Sequence, residues 1–510
     1  MESAQTFIES SANLIKLDPS RVLGAVDDKV YSGFLEHMGR CIYGGIVDFD
    51  STVPGLTNEK GYRLDVADAL KELNMPVVRY PGGNFVSSYH WLDGVGPKDQ
   101  RPRRPELAWL GEEPNHFGTD EFMEWCEYMN TEPYLCLNMG TGTLDEALAW
   151  VEYCNSDKNT YYANLRRKNG HEKPYNVKYW SLGNEVWGPW QVGQMPAADY
   201  GKKAFQWAKA LKLLDPNIKL VACGCTGFEE WDYIVTQALI SQVDLYSIHL
   251  YTSSDDHYKN VTGTAGAERG IQICSKLLDL AKIQQKAYNA DVKICFDEWN
   301  VWDGERAPGY LGAEEQYTLS DALAVASWCN VFIRQASLIG MANIAQLVNV
   351  IAPIMTSKTD LFLQTIYHPF LLFCKYMRGE SLNLHVESPT YKGDTGCSFT
   401  ESSVGGELLW VKGVEPAIPM LDVSATKKDG IITIAVVNRS LEDDLTTKIV
   451  LEGDYKETVT VYTVHHDDIA ATNTFENKEV VKVEESTCKL GDLESYTFRK
   501  HSFVMLRISS

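Results

Sequence analysis

A chain of 510 residues, 44% of them hydrophobic, can bury a large core, and its length alone suggests about two to four domains. Its 69 acidic and 47 basic residues leave a formal charge of -22, which repels phosphate backbones and anionic bilayers, so neither a nucleic acid nor a membrane is expected as a partner.

The first 24 residues show no helical pattern and are expected to add a strand to a sheet formed elsewhere, because a lone strand is unstable. They carry acidic residues and no apolar h-region, so they do not read as a signal peptide. The expected location is intracellular. The sequons at Asn260 and Asn438 leave secretion open.

From residue 25 to 380, short β-branched apolar runs alternate with longer amphipathic stretches. Eight runs read as strands: 33–39, 76–83, 133–140, 177–185, 218–224, 245–251, 292–299 and 343–349. Among the intervening helices, "LDVADALKEL" (64–73) is stopped by Asn74 and Pro76, and Thr143 and Glu146 stand at capping-box spacing before "ALAWVEYC". The basic cluster "RPRRP" at 101–105 is too short to bind nucleic acid, and no run of apolar residues is long enough to span a bilayer. No Gly-rich phosphate loop follows the first strand. The expected fold is α/β, a (β/α)8 TIM barrel. From 381 to 510 the pattern changes to short period-two segments, beginning at "ELLWVKGV" and ending at "SFVMLRISS", which predict an antiparallel, jelly-roll-like β-sandwich. The twelve cysteines include no CxxC pair and are read as reduced, buried thiols; no cluster has metal-ligand spacing, so neither metal nor cofactor is expected.

In such barrels functional side chains project from the C-terminal strand ends. Those ends carry Glu36 and His37, Arg79 and Asn84, Asn138, Asn184 and Glu185, His249 and Tyr251, Glu298, Trp299 and Asn300, and Gln346 and Asn349. Glu185 and Glu298, on the fourth and seventh strands, can face each other across the mouth. Glycoside cleavage needs such a pair, one carboxyl neutral to protonate the leaving oxygen and one ionised to meet the anomeric carbon. Amides supply hydrogen bonds to sugar hydroxyls and tryptophans supply flat apolar faces. His249 reads either as a ring orienting the glutamates or as a wall residue, and His37 and His90 read as packing residues.

"GNE" ending the fourth strand and "DEWN" ending the seventh, with "EHMGRCIYGGI", "VRYPGGNFVSSYHWLDGVGP" and "AQLVNVIAPI", resemble the family 51 glycoside hydrolases, the α-L-arabinofuranosidases, over the whole chain. The resemblance implies a retaining exo-acting enzyme with Glu185 as acid/base and Glu298 as nucleophile. It implies arabinose contacts from Glu36, Asn84, Asn184, Tyr251 and Gln346, pocket walls from Trp109 and Trp302, and an Arg79 that keeps Glu298 ionised. The implied substrates are arabinoxylo- and arabino-oligosaccharides or the parent polysaccharides, and the family's assemblies imply a homo-oligomer. Another retaining barrel glycosidase, an endoglucanase or β-xylosidase, is the nearest alternative, and an inactive carbohydrate-binding protein is the alternative outside enzymes.

Overall fold

The computed structural model of the chain describes residues 6–8, 10, 12–393 and 417–510; the strand expected at 407–414 lies outside them. Eight parallel strands close into a barrel: Ser32–Phe34, Val77–Tyr80, Glu132–Cys136, Tyr179–Leu182, Lys219–Ala222, Leu245–Thr252, Lys293–Val301 and Ile339–Ile344. The eighth pairs with the first through Asn343 and Ser32, which completes the ring. Helices on the outside return the chain between strands, as parallel pairing requires. Helix Leu64–Leu73 ends where Asn74 takes a left-handed φ of 48°, a conformation asparagine tolerates. Helix Leu144–Asn155 starts at Thr143, whose hydroxyl accepts from the Glu146 amide at 3.1 Å. The return half of that capping box is missing, because the Glu146 carboxylate pairs with His90 at 2.9 Å instead.

Six barrel strands stop before their expected C-terminal bounds, and at the first and the eighth the difference matters for the site. The first stops at Phe34, so Glu36 and His37 lie in the loop beyond it; the eighth runs over 339–344, so Gln346 and Asn349 also follow the strand. At this closure a Cβ on Gly33 would stand 2.7 Å from the Leu347 side chain, so glycine is needed for the loop to pack over the strand.

Nine of the remaining strands form one sheet, and the others form one three-stranded and two two-stranded sheets. The N-terminal strand Leu14–Val26 lies inside the nine-stranded sheet, antiparallel to Gly379–Glu387 and parallel to Leu445–Leu451. The sheet is therefore mixed at one pairing: a strand arriving from the far end of the chain takes its direction from its long antiparallel partner, whatever lies on its other side. Period-two alternation gives the sheet two buried faces. In the strand Ile431–Asn438, Ile432, Ile434 and Val436 enter the sheet's own core, while Ala435 and Val437 pack with the barrel core. Val504, Leu506 and Ile508 divide from Phe503 and Met505 in the same way. At roughly 1.5–3 kcal/mol per large buried apolar side chain, this second face is enough to dock the sheet on the barrel. A buried ion cluster fixes the orientation: Asp422 accepts from Arg334 at 2.8 Å and Asn330 at 2.9 Å and lies 3.3 Å from Arg439. Every described cysteine is a free thiol, and all but Cys488 are buried. Among the described residues, no helix is long and apolar enough to cross a membrane.

Candidate active site

The C-terminal strand ends converge on a cavity of about 420 Å³. Glu36, Asn84, Trp109, Glu185, Tyr251, Glu298, Trp302 and Gln346 all line it. Arg79, Asn184 and His249 lie buried around them. Just past the fourth strand Gly183 stands at φ 84°, and Glu185 itself holds a left-handed φ of 41°. A non-glycine residue pays for that conformation, so the turn is held by its surroundings, and it carries Asn184 and Glu185 together into the mouth. Glu185 Oε1 lies 2.9 Å from His249 Nδ1, and its Oε2 accepts from the Trp190 indole at 3.1 Å.

On the seventh strand, simple alternation would send Asp297 and Glu298 to opposite faces. A bulge intervenes: Ser247 pairs with Cys295, but His249 pairs with Glu298, so one residue is extra and both acids turn inward. Glu298 Oε1 accepts from Arg79 at 2.6 Å and its Oε2 from the Tyr251 hydroxyl at 2.8 Å. A Cβ on Gly83 would stand 2.8 Å from that same Oε1, so glycine leaves the carboxylate room. Arg79 also donates to Asn184 Oδ1 at 2.6 Å, and Asn184 reaches Asn84 at 3.4 Å. Across the cavity Glu36 accepts from the Phe85 amide at 3.0 Å, the Trp109 indole at 3.1 Å and Gln346 at 3.1 Å. The Trp109 turn is folded by Glu106, which accepts from the Ala108 and Trp109 amides at 2.7 and 2.5 Å. Trp302 donates to Ala307 O at 3.0 Å, and the loop behind it is clamped by Arg306 on buried Glu315 at 2.5 Å.

Other strand-end residues serve the scaffold. Asn138 ties Tyr89 O and Thr141, Asn300 donates to Ala345 O and Ile351 O, Asn349 bonds Arg40 O and Thr356, and Trp299 sits in an aromatic cluster with Trp328 and Phe332. His37 is buried between Glu113 at 2.8 Å and Tyr80 at 2.8 Å, stacked on Phe85, and so stiffens the backbone that donates to Glu36. Sequence reasoning missed two residues that touch the glutamates or their partners. Trp190 was visible in "EVWGPW", and Asp297 in "DEWN" as a second acid beside Glu298.

The charges are unevenly placed. Burial, then the negative charge of Glu298, pushes the Glu36 carboxyl up to about 8 despite the bonds from Phe85 and Trp109. Burial opposes a charged His249, but Glu298, Asp297 and Glu185 outweigh it and carry the ring up to about 10. Burial also opposes an ionised Asp297, yet Arg79 and His249 hold that carboxyl well below its ordinary range. Glu185, His249 and Glu298 each offer a ligand atom, all within 4.8 Å of one another. The His249 nitrogen among them carries a proton toward Glu185, so it has no lone pair for a cation while the ring stays charged.

Family profiles described as "Alpha-L-arabinofuranosidase 1 domain" and "Alpha-L-arabinofuranosidase C-terminal domain" match residues 69–269 and 297–502. The chain is 55% identical to a probable alpha-L-arabinofuranosidase C of Aspergillus clavatus, over 98% of both chains. It is 37% identical to an intracellular exo-alpha-(1->5)-L-arabinofuranosidase 1 of Bacillus subtilis, over 91% of this chain and 92% of that one. A solved GH51 alpha-L-arabinofuranosidase of Thermotoga petrophila superposes with a TM-score of 0.88 at 40% identity, covering 97% of this chain and 100% of the other. A closed barrel with two glutamates at its mouth, together with likeness along its whole length, makes this chain a member of the glycoside hydrolase family 51 α-L-arabinofuranosidases.

Proposed function

We propose that the enzyme is a retaining, exo-acting α-L-arabinofuranosidase that releases terminal non-reducing arabinofuranosyl residues from arabinoxylo- and arabino-oligosaccharides by double displacement. The observation that carries the reading is the short reach between the glutamates, with an oxygen of each within 4.8 Å of the other around His249. Retaining enzymes hold their carboxyl groups about 5–5.5 Å apart, whereas inverting ones need about 6.5–9.5 Å to admit a water.

In the first step a Glu298 oxygen bonds to the anomeric carbon while the bond to the leaving oxygen breaks and Glu185 gives that oxygen its proton. In the second, water attacks the anomeric carbon, its proton passes to Glu185, and the ester to Glu298 breaks. Arg79 and Tyr251 donate to the Glu298 carboxylate and aim it. Glu36, Asn84, Asn184, Tyr251 and Gln346 bind the sugar hydroxyls, and Trp109 and Trp302 wall the pocket. The barrel, residues 25–380, carries this chemistry, and the sandwich of 381–510 with the segment 1–24 supports it. The Bacillus subtilis relative, described as intracellular, supports the same location here. A homo-oligomer belongs to the same proposal, and light scattering tests it.

Paired variants separate the two roles. Glu298→Ala should lose at least about three orders of magnitude, roughly 4 kcal/mol, on any substrate. Glu185→Ala should lose far more on a sugar leaving group than on nitrophenolate. Azide should yield the retained α-azide with Glu185→Ala and the inverted β-azide with Glu298→Ala. Exchanged azide configurations would reverse the assignment. Faster turnover of a nitrophenyl β-xyloside or a β-glucan than of the arabinofuranoside would replace the substrate.

A further inference from the structure

We propose that Asp297 is a positioning residue for this reaction, holding from beneath the two cations that in turn hold the reacting glutamates. The inference rests on the roles given to Glu185 and Glu298 above. Asp297 is 1% exposed and sits on the bulge of the seventh strand. Its Oδ1 lies 3.1 Å from His249 Nε2 and accepts from the Ser247 hydroxyl; its Oδ2 accepts from Tyr134 at 2.7 Å and faces Arg79 Nε at 3.5 Å. Beyond those partners, His249 Nδ1 faces Glu185 at 2.9 Å and Glu298 at 3.6 Å, while Arg79 grips Glu298 at 2.6 Å. Every link from Asp297 to a glutamate therefore passes through a cation.

Counting charge explains what this arrangement does. Arg79 and a protonated His249 supply two positive charges, and ionised Asp297 lies between them. Held charged, the ring keeps a proton on the nitrogen 2.9 Å from Glu185, a proton it can pass to that carboxyl as the carboxyl protonates the leaving oxygen. The other groups that face this set do not alter the balance. Glu36 acts on Glu298 from the loop after the first strand but is itself kept neutral up to about pH 8, and Tyr134 and Ser247 are neutral donors. Cys223 and Cys225, which pass beside Glu185, are pushed up by burial and remain thiols. Take away the charge of Asp297 and both cations lose their common counter-ion. His249 then has a weaker hold on its proton, and among the described residues no other acid contacts that side of the ring.

The test compares Asp297→Asn, which keeps the shape, with Ser247→Ala, which removes a neutral donor from the same carboxylate. The readout is the pH profile of kcat/KM on an arabinosyl disaccharide. Asp297→Asn should move the alkaline limb down by about 1–3 pH units, the size expected for losing an opposite charge in contact, while Ser247→Ala leaves the limb in place. Turnover of a nitrophenyl substrate, which needs little protonation, should fall much less. A uniform loss on both substrates with an unmoved limb would make Asp297 merely structural and overturn the proposal. If Asp297→Asn does not fold, the unmodified enzyme decides: ¹⁵N spectra of histidine-labelled protein, with His249 identified by its absence in His249→Gln, should show an imidazolium at pH 8. A neutral ring there would overturn the charge arrangement. Failure of the double-displacement reading is separate, since it would appear as an inverted product while leaving these spectra unchanged.

Discussion

Replacing Glu36 by glutamine should change how stability depends on pH, and the sign follows from the pocket. The carboxyl rises from an ordinary 4.5 to about 8 because it is buried and faces Glu298. Below 4.5 it is neutral in both folded and unfolded chains. Between 4.5 and 8 the unfolded carboxyl ionises while the folded one stays neutral, so folding takes up a proton and stability falls as pH rises. Above 8 both are ionised and the loss is complete. At about 1.4 kcal/mol per pH unit, the interval from 4.5 to about 8 comes to about 5 kcal/mol at most. Glutamine cannot ionise; it keeps an acceptor for Phe85 and Trp109, and any misfit with Gln346 costs the same at every pH. Urea unfolding followed by tryptophan fluorescence at pH 5, 7 and 9 measures the difference, since all other titrations are shared. The variant should gain on the wild type by several kcal/mol between pH 5 and 9, and Glu298→Gln should flatten part of the wild-type slope. A difference that stays constant with pH would refute the reasoning.

Three further substitutions probe the walls and the scaffold. Gly309→Ala places a Cβ 2.5 Å from the Trp109 ring and must push the indole from Glu36; overpacking of about 1–3 kcal/mol should raise KM roughly tenfold with kcat less affected, and an unchanged KM would count against Trp109 as a wall. Trp190→Phe removes the donor 3.1 Å from Glu185, worth about 1.5–3 kcal/mol to a charged acceptor, so disaccharide turnover should fall about tenfold or more and nitrophenyl turnover much less. Asp422→Ala leaves Arg334 and Arg439 buried without their shared acid and should cost about 3–5 kcal/mol in unfolding experiments.

The barrel was legible because its strands are short β-branched runs separated by helices with identifiable ends, and the two glutamates because each closes such a run. What stayed hidden depended on partners that a linear pattern does not contain. Asp297 reads as facing away from Glu298 until the pairing with the sixth strand shows the extra residue. Trp190 reaches Glu185 only because the backbone at Glu185 turns left-handed after Gly183. The N-terminal strand was recognisable as lacking a local partner, but its parallel neighbour at 448–451 is set by assembly of the whole sheet. The loop behind Trp302 carries "DGERAPGYLGAEEQ", in which the structure buries Glu315 against Arg306, a contact that no periodic pattern marks.

The central claim is that Glu298 attacks the sugar directly and Glu185 serves first as acid and then as base. The most direct measurement is proton NMR of the first-formed arabinose during rapid hydrolysis of nitrophenyl α-L-arabinofuranoside, before mutarotation mixes the anomers. The account predicts the α-furanose, with configuration retained through two displacements; the β-furanose appearing first would mean that a water stands between the glutamates and would contradict it.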